Sequence, residues 1–324
     1  MYYKNKTYKK KYKRNGGALD VNVNVNALTY NMSWASQQNI EAGSEEDFVR
    51  LCKTLGRNCY NEALTLIGTL HKEYKFDVIG IQEVEDPELI PKIISLTNLD
   101  GFYRGATWKS QSPFPNIYSG CAILWNTNKL GKMKSCKTIN LATPNEDNTC
   151  DARTCCIVTT TKNVHLIVAH FPWITTQEDI NKVSDLLNTH ISPRGAVIIL
   201  TDANDGNTVI SSENPLIIHG RKLSHGLTKR DAKRTLNSCC WHEKDHKLKW
   251  QHFDSTGDYI LSENVKEIKI PITHPSNNPD EVNLYSDHMP VIANLTINIM
   301  PITGIAALAM YENNKSKTIK SKTI

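Results

Sequence analysis

The sequence predicts an α/β sandwich. Short apolar runs of strand length are spread from near Val25 to Ile297, several follow one another closely enough for antiparallel pairing, and only a few stretches repeat apolar residues at helical spacing. No linker divides those runs, so the 324 residues read as one large domain rather than two small ones. With 40% hydrophobic and 22% charged residues, the chain has the composition of a soluble globular protein with a deep core and disorder confined to its ends.

The first strand is expected at about Val23 to Tyr30, where VNVNVNALTY alternates and then turns apolar. Ser44 with Asp47 resembles a capping box, and the helical spacing that follows to Tyr74, broken at Gly56, predicts two helices. FDVIGIQEVED is a continuous apolar strand, after which Asp86 and Pro87 supply an N-cap and a proline at the first helical position. GCAILWN, CCIVTTT and HLIVAH are the next strands. Thr176 with Asp179 caps an amphipathic helix to about His190, and AVIILTD is another buried strand. DYILSE, VKEIKI and MPVIANLTI close the chain as three more.

Between Gly220 and Trp250 the chain is polar, histidine-rich and without periodicity, which predicts a long loop, and loops of that length tend to be functional or disordered. The expected organisation is a basic tail over 1–17, a main domain over 18–298 and a C-terminal tail over 299–324. A helical insertion at about 36–74 and a basic loop at about 220–250 interrupt the main domain.

The opening segment MYYKNKTYKKKYKRNGG is charged but has no apolar stretch of the kind a secretion signal carries. Ile299 to Met310 is short and interrupted by Pro301 and Gly304, so it reads as a docked terminal segment rather than a membrane anchor. The chain is therefore expected to be intracellular, in cytoplasm or nucleus, and not secreted. In such a compartment its nine cysteines, an odd count, read as reduced thiols without a disulfide framework. Cys239, Cys240, His242 and His246 form a cluster, but paired zinc-binding cysteines are separated by two to four residues, and this adjacent pair reads as a half-buried loop.

The net charge of +5 is unevenly placed: the first 17 residues hold seven lysines and arginines and no acid, which leaves the remainder slightly acidic. Lys315, Lys317, Lys320 and Lys322 lie at the other end. Such tails read as solvated or localisation segments that also neutralise phosphates without sequence preference.

Six strand-like runs end on, or run into, a residue capable of metal or phosphate chemistry: Asn31, Glu83, His170, Asp202 with Asn204, Asp258, and Asp287 with His288. Singly, each is what a strand end needs, because Asp and Asn dominate turns for conformational reasons. Together they are the parts for hydrolysing a phosphate ester. Magnesium prefers a few carboxylates with water and substrate oxygens, as a site built around Glu83 and Asp287 would supply. Asp258 is placed to hold His288 in one tautomer and to raise its pKa.

In order and wording these motifs resemble the endonuclease/exonuclease/phosphatase superfamily over about Leu28 to Leu295. The resemblance rests on TYNMSW, GIQEVED, AHFPW, LTDAND, GDYIL and YSDHMPV, the last being the most specific. It implies a four-layer sandwich of two packed mixed β-sheets flanked by helices, with the site in a cleft at one edge. It further implies that Glu83 binds magnesium, with manganese as a possible replacement, helped by Asn31 and Asp287. Asp202 and Asn204 would orient the attacking water, with Asp202 a candidate general base; His170 and His288 would contact the scissile phosphate, and Asp258 would pair with His288. Arg153, in CDART, stands where many members place a phosphate-binding arginine.

Three features depart from family patterns: the spacing of about fifty residues between Asn31 and Glu83, the Asp205-Gly206 that follows Asn204, and Gly257-Asp258-Tyr259 in place of Cys-Asp-Arg. They count against the inositol phosphatase subfamily and leave the core chemistry intact.

Fold and catalytic set do not choose a substrate. Between Gly220 and Lys249 nine basic residues face three acids, with Trp241 and Trp250 among or beside them. Lys229, Arg230, Lys233 and Arg234 are the candidates for gripping a polyanion whose bases stack, against the plainer reading of a solvated surface. The expected activity is that of a nuclease or DNA-end phosphodiesterase, with nucleic acid as partner. A sphingomyelinase-like or inositol-phosphate phosphoesterase is the alternative, but it should show an apolar membrane-contacting loop and none is evident. A catalytically inactive nucleic-acid-binding protein is the second alternative, disfavoured because no motif position is substituted.

Overall fold

The computed structural model describes residues 21–34, 37, 49, 53, 56–86, 88–109, 118–141, 153–239, 255–272 and 286–299. Within them the chain runs β1 (Val21–Asn31), α1 (Cys59–Tyr74), β2 (Val78–Val84), α2 (Leu89–Thr97), β3 (Gly101–Lys109), β4 (Tyr118–Trp125), α3 (Thr127–Leu130) and β5 (Met133–Asn140). It continues with β6 (Thr154–Thr160), β7 (Val164–His170), α4 (Gln177–Asn188), β8 (Ala196–Asp202), β9 (Leu216–Ile218), β10 (Arg221–Leu223), α5 (Lys229–Thr235), β11 (Asp258–Leu261), β12 (Val265–Lys269) and β13 (Val291–Ile299).

Two mixed sheets form, one of six strands in the order β12-β13-β1-β2-β4-β3 and one of five in the order β11-β8-β7-β6-β5; β9 and β10 make a small hairpin. The pairs β1/β2 and β7/β8 are parallel, while β2/β4, β3/β4, β5/β6, β6/β7, β8/β11 and β12/β13 are antiparallel. The architecture is the α/β sandwich that the sequence predicts.

The layers follow from strand periodicity, since alternate residues face opposite sides. On β1 and β2, Val25, Ala27 and Val78 join the core shared with Leu166, Val168, Ile198 and Leu200 of the second sheet. The intervening Leu28, Tyr30, Ile79 and Ile81 pack instead under Ala63, Ile67 and Leu70 of α1 and Leu89 and Ile93 of α2. Both faces of these central strands are thus buried, which is why they read as continuous apolar runs. On the far side α4 contributes Ile180, Val183 and Leu187 to the core of the five-stranded sheet. The sheets approach closely at Gly80, where a Cβ would lie 2.6 Å from Leu200 Cβ and 2.7 Å from Val168 Cγ2.

The helix ends obey local chemistry. Asn58 caps α1 by accepting from Asn61 N, and Lys75 leaves it in the left-handed region with φ 52°. Thr176 and Asp179 form the expected reciprocal capping box at α4. At α2 the cap differs from expectation: the helix starts at Leu89 with Glu88 as N-cap, and Asp86 accepts from Glu88 N at 2.8 Å.

Several expectations are corrected. The segment from Gly220 onward, expected as a loop, carries β10 and α5 in its described half. Cysteines 121, 136, 155 and 156 are free thiols as expected, but Cys59 and Cys239 are disulfide-bonded, which also removes Cys239 from a zinc-binding thiolate set. Strands β3 and β5 are additional to the elements that the sequence predicts. The Ser44–Asp47 capping box, Cys240, His242, His246, the basic N-terminal tail and the segment after Ile299 lie outside the described residues. Among those described, no helix is long and apolar enough to cross a membrane.

Candidate active site

The parallel pairs fix where polar strand ends collect. Asn31 closes β1 and Glu83 is the penultimate residue of β2; His170 closes β7 and Asp202 closes β8. His170 and Asp202 are register partners, as are Asp202 and Asp258, the first residue of antiparallel β11. All five side chains therefore emerge at one edge of the sandwich, outside the carboxyl ends of its parallel strands, which is where such sheets bind ligands.

Glu83 is aimed by a backbone irregularity. The β2/β4 register shifts between Ile81 and Val84, and Glu83 sits in the left-handed region with φ 57°. Ser33 and Asn204, on neighbouring strand-end turns, share that unusual conformation with φ 52° and 47°. Non-glycine residues held there cost of order 1–3 kcal/mol each and gather at functional sites. The Glu83 carboxylate is then anchored through both oxygens: Oε1 accepts from Asn31 Nδ2 at 2.9 Å and Oε2 from Trp34 N at 3.0 Å.

Asn31 joins the two sheets, because its Nδ2 also donates to Asp202 Oδ2 at 2.9 Å while its Oδ1 accepts from Ser33 N at 3.0 Å. The other Asp202 oxygen accepts from Asn204 N at 3.0 Å, and Asn204 Nδ2 donates to the Phe171 carbonyl at 2.7 Å. Burial pushes the Asp202 carboxyl toward its neutral form, but His170, His288 and these donors outweigh it and hold the group below its ordinary range.

His170 lies 3.4 Å from Asp202 Oδ2 through Nε2 and 3.9 Å from Glu83 Oε1 through Nδ1. Arg153 Nη1 reaches the same Nε2 at 2.7 Å. Burial and the guanidinium lower the His170 pKa against the opposing pull of Asp202 and Glu83. The opposite holds at His288, whose Nδ1 is 2.9 Å from Asp258 Oδ2 and whose Nε2 is 3.8 Å from Asp202 Oδ2. Burial there disfavours the imidazolium, yet Asp258, Asp202 and Asp287 prevail and raise the pKa well above its usual value.

Asp287 is buried and accepts from the Ser286 hydroxyl at 3.1 Å, while that hydroxyl also reaches the Asn31 carbonyl at 2.9 Å. Burial raises the Asp287 carboxyl pKa. Two compact sets of metal-capable groups form among the described residues, Glu83–His170–Asp202 and Asp202–Asp258–His288, each with its ligand atoms within 4.8 Å of one another. Asp287 belongs to neither. Four carboxyl groups thus crowd one edge, and among the described residues Asp258 Oδ1 is buried without a hydrogen-bond partner. Hard oxygen donors, excess negative charge and an unsatisfied carboxylate oxygen fit a divalent cation.

Some contributors carry no signal in the sequence. Ser238 Oγ accepts from Asp258 N at 2.9 Å, and Gln37 Nε2 donates to the Glu83 carbonyl at 2.7 Å; both lie in polar stretches that no motif marks. Lys229, Arg230, Lys233 and Arg234 are exposed on α5 and join neither metal-capable set.

No protein-family model and no curated protein sequence matches the chain. Solved structures do. An endonuclease/exonuclease/phosphatase from Beutenbergia cavernae aligns with a TM-score of 0.55 at 13% identity, over 86% of this chain and 73% of the other. The fold is that of the endonuclease/exonuclease/phosphatase proteins. A second such protein, from Bacteroides vulgatus, aligns with a TM-score of 0.50 at 14% identity, over 85% of this chain and 99% of its own. The endonuclease/exonuclease/phosphatase fold therefore underlies an edge where Asn31, Glu83, His170, Asp202, Asn204, Asp258 and His288 meet.

Proposed function

We propose that the protein is a divalent-metal-dependent phosphoesterase acting on nucleic-acid phosphodiesters, as a nuclease or DNA-end phosphodiesterase. The observation that carries this reading is His288, a buried histidine gripped by Asp258 at 2.9 Å with ionised Asp202 at 3.8 Å, on the same edge as Glu83. A fixed cationic donor beside an ionised carboxylate suits attack of water on a phosphate.

Glu83, supported by Asn31 and Asp287, would hold magnesium, or manganese in its place. When bound, the ion neutralises the crowded carboxylates and polarises a phosphoryl oxygen. Asp202, kept ionised and oriented by Asn31 and Asn204, takes a proton from the attacking water. Arg153 and the imidazolium of His288 present positive charge to the phosphoryl oxygens, with Asp258 fixing the orientation of His288. His170, neutral, offers a hydrogen bond rather than a charge.

The choice of a polyanionic substrate rests on α5. This helix, which carries the four exposed cations, ends at Thr235, three residues before Ser238, the residue bonded to Asp258 N. Four residues of chain from Arg234 to Ser238 span at most about 14 Å, and Lys229, Arg230 and Lys233 lie exposed on the same helix; on this reading the four neutralise phosphates flanking the scissile one.

The test is a panel of single- and double-stranded DNA, RNA, abasic DNA, tyrosyl-linked DNA, sphingomyelin and inositol phosphates, each with magnesium and with excess chelator. Metal-dependent turnover of the nucleic acids is expected. Turnover confined to sphingomyelin or inositol phosphates, or undiminished in chelator, overturns the reading.

A further inference from the structure

We infer that Trp173 is a stacking platform for the nucleobase next to the scissile phosphate, so that the favoured substrate presents an unpaired or terminal base there. The inference rests on the phosphodiesterase reading and adds to it the class of group that flanks the phosphate.

Trp173 is the most exposed large hydrophobic side chain among the described residues, at 66%, whereas Phe171 and Ile174 on either side are 0% and 1% exposed. Solitary exposed apolar residues are common on protein surfaces. Two features set this one apart.

The first is its place. Phe171 follows His170 directly, its N donates to the Asp202 carbonyl at 2.7 Å, and its carbonyl accepts from Asn204 Nδ2 at 2.7 Å. Ile174 N reaches the Asn204 carbonyl at 3.3 Å. The turn bearing Trp173 is therefore laced to the strand end bearing Asp202 and Asn204, and three residues of chain keep its Cα within about 11 Å of that of His170.

The second is its rigidity. Pro172 fixes its own φ and restricts the residue before it, and the buried neighbours anchor the turn on both sides. An indole held outward on such a support stacks on a partner with little further loss of conformational freedom, the condition under which aromatic contacts contribute most to binding. A base within a duplex already has both faces covered, so the platform takes one that is unpaired or at an end. The basic face of α5 favours a strand with several phosphates over a lone sugar phosphate.

The test measures affinity of the full-length protein for a short labelled single-stranded oligodeoxynucleotide in excess chelator, so that binding is read without turnover. The strand is used intact and with one abasic residue moved along it. For the wild type, one abasic position is expected to weaken binding about 10-fold, the scale of a single base–aromatic stack. Trp173→Ala should bind the intact strand about 10-fold more weakly and ignore that position, while Trp173→Phe keeps most of the affinity.

The inference is overturned by Trp173→Ala binding at wild-type strength, by its still registering the abasic position, or by Trp173→Phe losing as much as Trp173→Ala. It also falls if every abasic position is neutral in the wild type, which would leave the indole to a sugar or lipid headgroup. With magnesium restored the two readings separate. Hydrolysis of the strand with no contribution from Trp173 to affinity ends the stacking inference alone; stacking without hydrolysis ends the enzymatic reading alone; no binding at all ends both.

Discussion

Arg153 Nη1 and His170 Nε2 lie 2.7 Å apart in a half-buried corner of the site. Since a guanidinium only donates, this pairing assigns the ring proton to Nδ1, on the side of Glu83 Oε1 at 3.9 Å. Burial and the neighbouring cation together keep the histidine neutral. Arg153→Gln removes a positive charge and should raise the His170 midpoint, which proton NMR of its C2–H in the metal-free protein would follow. An unchanged midpoint would show that burial alone sets the charge state.

In the proposed reading Asp258 and His288 form one unit, the carboxylate holding the imidazolium at 2.9 Å, so their losses should not multiply. Asp258→Asn and His288→Ala are each expected to lower kcat by about 100- to 10,000-fold, and the double variant by little more than the worse single. Steady-state kinetics on one oligonucleotide decides it; multiplicative losses would mean that the 2.9 Å pairing is structural.

Asp205 gives a pH signature of stability rather than activity. It is fully buried, and although it accepts from Val209 N and Ile210 N at 2.7 Å each, burial pushes its pKa up to about 6. The unfolded value is about 3.9, so between about pH 4 and 6 the folded chain holds a proton that the unfolded chain has released. Stability therefore falls as pH rises through that window and levels off above it. Asp205→Asn should lower Tm overall, having one acceptor fewer, while flattening its pH dependence across the same window in calorimetric scans. An unaltered slope would assign the dependence to other carboxyls.

The cations of α5 should affect substrate capture without touching chemistry. Replacing Lys229, Arg230, Lys233 and Arg234 with Ser is expected to raise KM for long DNA and to flatten its salt dependence, by about 0.9 in the logarithmic slope for each phosphate no longer neutralised. Turnover of bis-p-nitrophenyl phosphate should hold, because that ester is too short to reach the helix. Equal impairment on both esters would make α5 a support of the Ser238–Asp258 hydrogen bond instead.

Strands β2, β7 and β8 and the helix capped by Thr176 are legible in the sequence because burial on both faces, or a reciprocal cap, imposes an unmistakable pattern. Strand β5 is not: its side chains are mostly exposed, so no apolar alternation marks it. Helix α5 buries only Ala232 in seven residues and leaves no periodicity to read. The strand-end site residues can be named in order because each adjoins a strong run, whereas the bonds from Ser238 to Asp258 and from Gln37 to Glu83 join residues whose proximity spacing does not encode. The disulfides of Cys59 and Cys239 escape for the same reason, since pairing follows proximity in space.

The crowding of Glu83, Asp202, Asp258 and Asp287 has a consequence for how such a chain ages and evolves. Without a cation these four carboxyl groups crowd the very edge where Ser33, Glu83 and Asn204 already hold left-handed backbone angles. Neutralising one acid, as in Asp287→Asn, is expected to raise stability at the expense of the activity proposed above. Selection for heat resistance alone would erode this rim long before it reached Gly80 and the seam between the sheets.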